Sequence, residues 1–266
     1  MFKRLATAYH YRELARNFTV RNLKIKYKGS LLGFLWSFIT PLLMMLVYTL
    51  VFRWIIRIEV EWPFAVFLLT GLLPWIFFAN SLNLSANSII ENANLIKKVY
   101  FPRELIPFTS VLSMLINFLL AMIILVFFMI YYQIPPHPPL VTLPLVMFIH
   151  LVFTLGLSLI CAAVAVFFRD LLHILEIILL VWFYAVPIIY PMSYVEQHLP
   201  AAGRLALPLY KLNPMVEITE LYRCALLYNR WPTPVALLVA GAWAVASFVI
   251  GYWIFTRTEP AFVKEI

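Results

Sequence analysis

The sequence predicts an all-α integral membrane protein: six transmembrane helices, an N-terminal amphipathic interfacial helix, and a re-entrant helical hairpin between spans five and six. Three observations carry this. Hydrophobic residues fill 64% of the 266 positions and charged residues only 12%, about half of what a soluble domain needs for its surface. Several separate apolar runs exceed the ~18 residues that mark a candidate span. Those runs are continuous rather than alternating, which excludes a transmembrane barrel.

The chain reads as one transmembrane domain, 1–266. Residues 1–30 come first. On a helical wheel Tyr11, Leu14, Ala15, Phe18 and Ile25 share a face, and Arg12, Arg16, Lys24 and Lys28 lie away from it, with Leu23 and Lys26 breaking the pattern. This is a basic amphipathic helix of the kind that lies on an inner leaflet. Over 24–28 lysine alternates with Ile25 and Tyr27, a period-two pattern that alone predicts a half-buried strand. A lone strand here has no sheet to join. The alternation is therefore assigned to the junction between the interfacial helix and the first span, where Gly29, Ser30 and Gly33 permit a bend. Spans then follow at 31–56, 64–90, 105–132, 140–168, 172–190 and 234–256, and residues 257–266 form a tail. Several are longer than the ~20 residues a crossing needs, which allows tilt or extension into water.

Residues 191–233 are the least regular stretch, with Pro191, Pro200, Gly203, Pro208, Pro214 and Pro232. Within them LNPMVEITELYRCALLYN predicts one helix, with Asn213 as N-cap and Pro214 at the first helical position. Glu217, Glu220 and Arg223 make it too charged to face lipid. Residues 195–230 are read as a re-entrant or interfacial hairpin on the outer side, where surrounding protein or a water-filled cavity allows broken helices at membrane depth. A surface loop is the alternative.

Six spans put both termini on one side. The N-terminus, the 2–3 loop, the 4–5 turn and the tail hold 14 of the 20 Lys and Arg residues, and the opposite side holds six. The positive-inside rule places both termini in the cytoplasm of a plasma membrane. Eight of the 20 precede Leu31, so the net charge of +8 marks a membrane flank and not a nucleic-acid surface. Cys161 and Cys224 fall on opposite sides, so no intrachain disulfide is expected. The start MFKRLATAYHYRE has no apolar core of a signal peptide, and no cleaved leader is expected.

Enzyme signatures are missing. There is no GxxxxGK[ST] phosphate loop and no HExxH, and the five histidines are dispersed. Residues 64–90 contain no Asp, Glu, His, Lys or Arg, which argues against a proton- or sodium-coupled carrier. His173 and Glu176 have the spacing of one helix face and are expected to form a structural pair. Aromatic residues make up 17% of the chain, with Trp182, Phe183, Tyr184, Tyr190 and Tyr194 crowded around the end of span five. They form either an interfacial belt or part of a path. Stacking of sugar rings on aromatic faces suits a glycan.

Four stretches together, NLKIKYKGSLLGFLWSFITP from Asn22, ENANLIKKVYFPRE from Glu91, RDLLHILEIILLVWFYAVPIIYP from Arg169 and LNPM from Leu212, resemble the membrane subunits of ABC-2 type exporters of lipid-linked polysaccharides, the group that exports O-antigen, capsular polysaccharide or wall teichoic acid. The resemblance covers nearly the whole chain in order. It implies a non-catalytic permease in the bacterial plasma (inner) membrane. It implies a homodimer with two separate ATPase subunits, which hold the ATP and Mg that this chain has no cofactor site for. The lipid-linked glycan and membrane lipid are then the ligands, with no nucleic acid. The 2–3 loop would couple to the ATPase through Asn94, Leu95, Lys97, Lys98, Val99 and Tyr100, with Pro102 ending that segment. The N-terminal helix would admit the substrate, its phosphates meeting Arg16, Arg21, Lys24, Lys26 and Lys28. Spans one and five would line the conduit with Trp36, Phe38, Tyr48, Trp182, Tyr184 and Tyr190. Arg169 and Asp170 open the RDL motif at the cytoplasmic end of span five, with Asp170 a helix cap or the two an adjacent ion pair. An ABC-2 exporter of a drug or small amphiphilic lipid is the competing function, and a non-transport scaffold or stand-alone channel a more distant one. The 1–2 outer loop, 57–62, is too short to form an outer domain, which leaves the envelope type open.

Overall fold

The computed structural model describes residues 11–198 and 207–265, and of Lys26 and Tyr27 only the backbone. The described residues are helical with no strand. The first helix, α1 (Arg12–Tyr27), runs through the lysine alternation without a break, so the period-two pattern forms no strand. Phe18 is buried, with Tyr11, Leu14 and Ala15 packed beside it, while Ile25 is 60% exposed. The expected apolar face therefore ends at Phe18, where α1 leaves its support along the third long helix. Gly29 and Gly33 turn the chain into the bundle at φ +78° and +48°, left-handed values that a side chain disfavours.

Among the described residues, five helical runs are long and apolar enough to cross a membrane. The first, α2 (Gly33–Ile55), changes to i→i+5 bonding from Thr49 onward, and only Pro41 of its residues is buried. The second, α3 (Phe64–Glu91), is the hub. It touches α2 and the later helices at 93–98, 105–131, 143–167, 171–184 and 214–226, and it is buried over most of its length. A helix apolar on every side belongs in the centre, which accounts for the absence of Asp, Glu, His, Lys and Arg from 64 to 90. The short α4 (Ala93–Lys98) leads to α5 (Leu105–Tyr131). A tight turn at Pro138–Thr142 opens α6 (Leu143–Phe167).

The expected fifth span, 172–190, is helical only as α7 (Leu171–Tyr184), 14 residues. At 1.5 Å per residue this covers about 21 Å, short of the ~30 Å hydrocarbon core. Pro187 is the physical reason. It has no N–H to donate and disfavours helical backbone at Val186. Val186, Ile188 and Ile189 are nevertheless buried, so this irregular segment lies inside the protein.

The described residues that follow include α8 (Met192–His198), α9 (Leu207–Lys211) and α10 (Pro214–Leu226). Pro200 and Gly203 of the expected hairpin lie outside the described residues. Asn213 caps α10 as its sequence predicts, its Oδ1 accepting from Met215 N at 3.1 Å. Nearly all of α10 is buried against α3, α6 and the last long helix, α11 (Pro234–Thr258), so it is no surface loop. Its N-terminus is held by two tryptophans: Trp182 Nε1 donates to Asn213 Oδ1 at 3.0 Å and Trp243 Nε1 to Leu212 O at 2.8 Å. His150 sits inside the bundle, Nδ1 3.3 Å from Tyr222 Oη.

Helices α6 and α11 make the closest crossing. Buried Ala240, Ala244, Ser247 and Gly251 form a stripe on α11. A Cβ on Gly156 would overlap the backbone at Ser247, and one on Gly251 would overlap the Gly156 carbonyl. Small residues let two membrane helices approach to backbone contact. The chain ends, after Glu259–Ala261, in α12 (Phe262–Glu265).

Candidate functional site

At the end of α3 the chain turns at Asn92, which is buried. Its Nδ2 donates to Ser88 O at 2.7 Å and its Oδ1 accepts from Arg21 Nη2 at 2.6 Å. One amide thus ties α1 to the start of α4. Ile96 of α4 is buried with Phe18, Ile89, Phe101 and Phe262 in a second apolar cluster at this end of the bundle. The rings of Phe101 and Phe18 are 5.9 Å apart. Arg103 Nη1 donates to Glu259 O at 2.5 Å, joining the same loop to the end of α11.

Between the anchors Ile96 and Phe101 the chain is pushed outward. Asn94, Lys97 and Lys98 are exposed and Leu95 is half-buried. Val99 is 51% exposed and Tyr100 94%. An apolar and an aromatic side chain held out on a rigid loop, beside two lysines, form a protruding surface without a role in this chain's own core. All six predicted coupling residues fall on this one loop.

The basic residues of α1 also converge. Arg16, Arg21, Lys24 and Lys28 line one concave surface of about 820 Å³ with Asn17, Val20 and Ile25. Four cations and, among the described residues, no carboxylate line it, a potential suited to a phosphate or pyrophosphate. The Lys26 side chain lies outside the described residues. Arg21 stands apart from the other three: it is bonded to Asn92, and its guanidinium lies 4.9 Å from the Phe18 ring centroid. It therefore links the basic surface to the protruding loop.

The six aromatic residues expected along a conduit divide. Trp36 and Tyr184 are exposed. Phe38 is half-buried. Tyr48 stacks on Phe183 at 5.8 Å, bringing α2 against α7. Trp182 packs edge-on against Trp75 and Phe78 at 6.4 and 5.3 Å, and its N–H is committed to Asn213. Tyr190 donates to Tyr184 O at 2.7 Å. Trp182 and Tyr190 thus brace the bundle from within.

The expected local pairings near α7 do not form. Asp170 stands at the N-cap position in helical backbone, φ −62° and ψ −18°, with no side-chain cap bond. A cap needs extended backbone to turn its carboxylate onto the following amides. Among the described ion pairs none involves Arg169, Asp170, His173 or Glu176.

Two residues that the sequence pattern did not single out organise the molecule. Asn92 is one, and its place just before a short helix is the signal for it. Arg223 is the other. It is fully buried, donating from Nη1 to Glu220 Oε1 at 2.9 Å and from Nη2 to Ile188 O at 3.0 Å, with Cζ 3.8 Å from the Phe67 ring centroid. Arg230 lies 3.6 Å from the other Glu220 oxygen. The irregular segment after α7 is thus pinned to α10.

With this geometry in place, comparison with known proteins is informative. The family model for the ABC-2 type transporter matches residues 14–227. An O-antigen export system permease protein, RfbA, of Myxococcus xanthus is 37% identical over 268 aligned positions, covering 100% of both chains. A protein of the same description from Klebsiella pneumoniae is 37% identical over 67% of this chain and 69% of its own. The polysialic acid transport protein KpsM of Escherichia coli is 25% identical over 92% of this chain and 93% of its own.

Proposed function

The chain belongs to the ABC-2 type transporter family, and from that premise we propose that it is the permease subunit of an ATP-driven exporter in the bacterial inner membrane. Its cargo is a lipid-linked polysaccharide, moved from the cytoplasmic to the outer face. The observation that carries this reading is full-length identity of 37% to a permease named for O-antigen export. No relative favours a drug or small-amphiphile exporter.

The finer parts of the proposal rest on particular residues. Both termini are cytoplasmic, supported by the bias of Lys and Arg toward that side. The chain crosses six times, the fifth crossing made by α7 together with the non-helical residues 185–190, of which 186–189 are buried. α9 and α10 form a re-entrant hairpin, supported by the burial of α10 and by the tryptophan bonds at its N-terminus. Two copies associate through α2 and α7, whose exposed apolar faces contain Leu43, Leu46, Ile174 and Ile177, and two ATPase subunits dock below.

In the proposed cycle, the phosphates of the lipid carrier meet Arg16, Arg21, Lys24, Lys26 and Lys28. ATP binding closes the ATPase subunits against Lys97, Lys98, Val99 and Tyr100. Because Ile96 and Phe101 root that loop in the same cluster as Phe18, its displacement moves α1, α5 and α11 together. The head group then passes between the subunits while the lipid tail stays in the bilayer. The test is reconstitution of the chain with its partner ATPase in vesicles containing a lipid-linked glycan. ATP should transfer the glycan across the bilayer, and a Walker-lysine variant of the ATPase should not. Transfer without hydrolysis, or no transfer with an active ATPase, refutes the proposal.

A further inference from the structure

The stretch TEPAFVKE from Thr258 has the composition of a solvated tail. The structure docks it instead. Pro260 has no N–H to donate and cannot continue α11. After the turn at Glu259–Ala261, α12 lies against α4 and α6. Phe262 is its anchor. The ring is fully buried, its centroid 5.3 Å from that of Phe255 and 6.1 Å from that of Phe167, in the cluster that holds Ile96 and Phe101. Val263, Lys264 and Glu265 beside it are exposed. A helix of four residues has no stability of its own. α12 therefore keeps its place through Phe262 and through the bond from Arg103 Nη1 to Glu259 O.

One ring thus joins two turns at the same end of the bundle. On one side, Ile96 and Phe101 are the buried roots of the loop that exposes Val99 and Tyr100. On the other, Phe167 is the last residue of α6, and residues 168–170 lead from it into α7. A close-packed aromatic cluster has little free volume in which to absorb a displacement, so movement of the loop is carried to Phe167. We propose that Phe262 is a positioning residue for coupling: it backs the loop at 93–101, so that a stroke delivered to Val99 and Tyr100 reaches the start of α7, a helix of the proposed conduit. This role rests on the reading of that loop as the contact with the ATPase. It gives α7 a link to the loop that the order of elements along the chain does not supply.

The test uses the full complex of this chain with its partner ATPase, in vesicles containing a lipid-linked glycan. It reads glycan transferred per ATP hydrolysed, together with hydrogen exchange of the loop amides. Phe262→Ala should assemble and hydrolyse ATP, transfer less glycan per ATP by about fivefold or more, and exchange faster at 93–101. Phe262→Leu keeps most of the apolar volume and should recover most of the transfer. Arg103→Gln leaves the aromatic cluster intact and releases only the tail. It should lower the ratio by about twofold or more, and it reports even where Phe262→Ala fails to assemble. Unchanged exchange at 93–101 overturns the backing of the loop. A ratio equal to the parent's in these variants overturns the role in coupling. An unmodified complex that hydrolyses ATP and moves no glycan overturns the export function itself, and this role with it.

Discussion

Replacing Arg223 with methionine tests the most costly interaction in the bundle. The guanidinium is fully buried and makes two charge-assisted bonds, to Glu220 Oε1 and Ile188 O. Each such bond contributes roughly 1.5–3 kcal/mol, and a desolvated cation over an aromatic ring about 2 kcal/mol. These terms overlap, and breaking a buried pair from one side typically costs 3–5 kcal/mol. Glu220 keeps a second cation, Arg230 at 3.6 Å, so it is not stranded. The expected loss is therefore at the lower end, about 3 kcal/mol. Arg223→Lys keeps the charge and one of the two bonds and should lose about half as much, near 1–2 kcal/mol. The assay is reversible denaturation in detergent followed by tryptophan fluorescence, since Trp182 reports on the bracing of α7 against α10. Hydrogen exchange at Ile188 and Ile189 should rise in Arg223→Met before the rest of the bundle opens. A stability within about 0.5 kcal/mol of the parent, as at ordinary surface positions, would refute the assignment of Arg223 as the pin between these elements.

Gly156→Leu should prevent α6 and α11 from meeting. Overpacking alone costs about 1–3 kcal/mol, and here the obstacle is backbone, so loss of monodisperse protein in gel filtration is expected. Tyr100→Ala combined with Val99→Asp should leave the fold intact and abolish stimulation of the partner ATPase, read as ATP turnover of the co-purified complex. Lys24→Gln, Lys26→Gln and Lys28→Gln together should lower export without loss of assembly, measured as surface glycan against complex recovered. Asn92→Leu should cost about 1.5–3 kcal/mol by leaving Arg21 without its acceptor, seen in the same denaturation assay.

The long helices were legible in the sequence because an apolar run of this length has few other solutions in a membrane protein. Their ends agree with the expected bounds to within a few residues at α3, α5 and α6. Arg16, Arg21, Lys24 and Lys28 line one surface, a grouping that depends only on local order along the chain. What escaped depends on distant partners. The shortening of span five was signalled by Pro187, yet hydropathy continued through Tyr190 and concealed the break. Ile25 was assigned to the buried face by helical period alone, yet it is 60% exposed. Asp170 has the residue type of a cap without the extended backbone that a cap needs. Arg223 reads in sequence as a charge on a polar helix. Its burial depends on Ile188, Glu220 and Phe67, and two of these lie far from it along the chain.

The central claim is export of a lipid-linked polysaccharide, and depletion of this protein in growing cells tests it most directly. The lipid-linked glycan is then localised by its accessibility to a membrane-impermeant glycan label before and after permeabilisation. Polymer should disappear from the surface and accumulate on the cytoplasmic face. An unchanged surface glycan after depletion would contradict it.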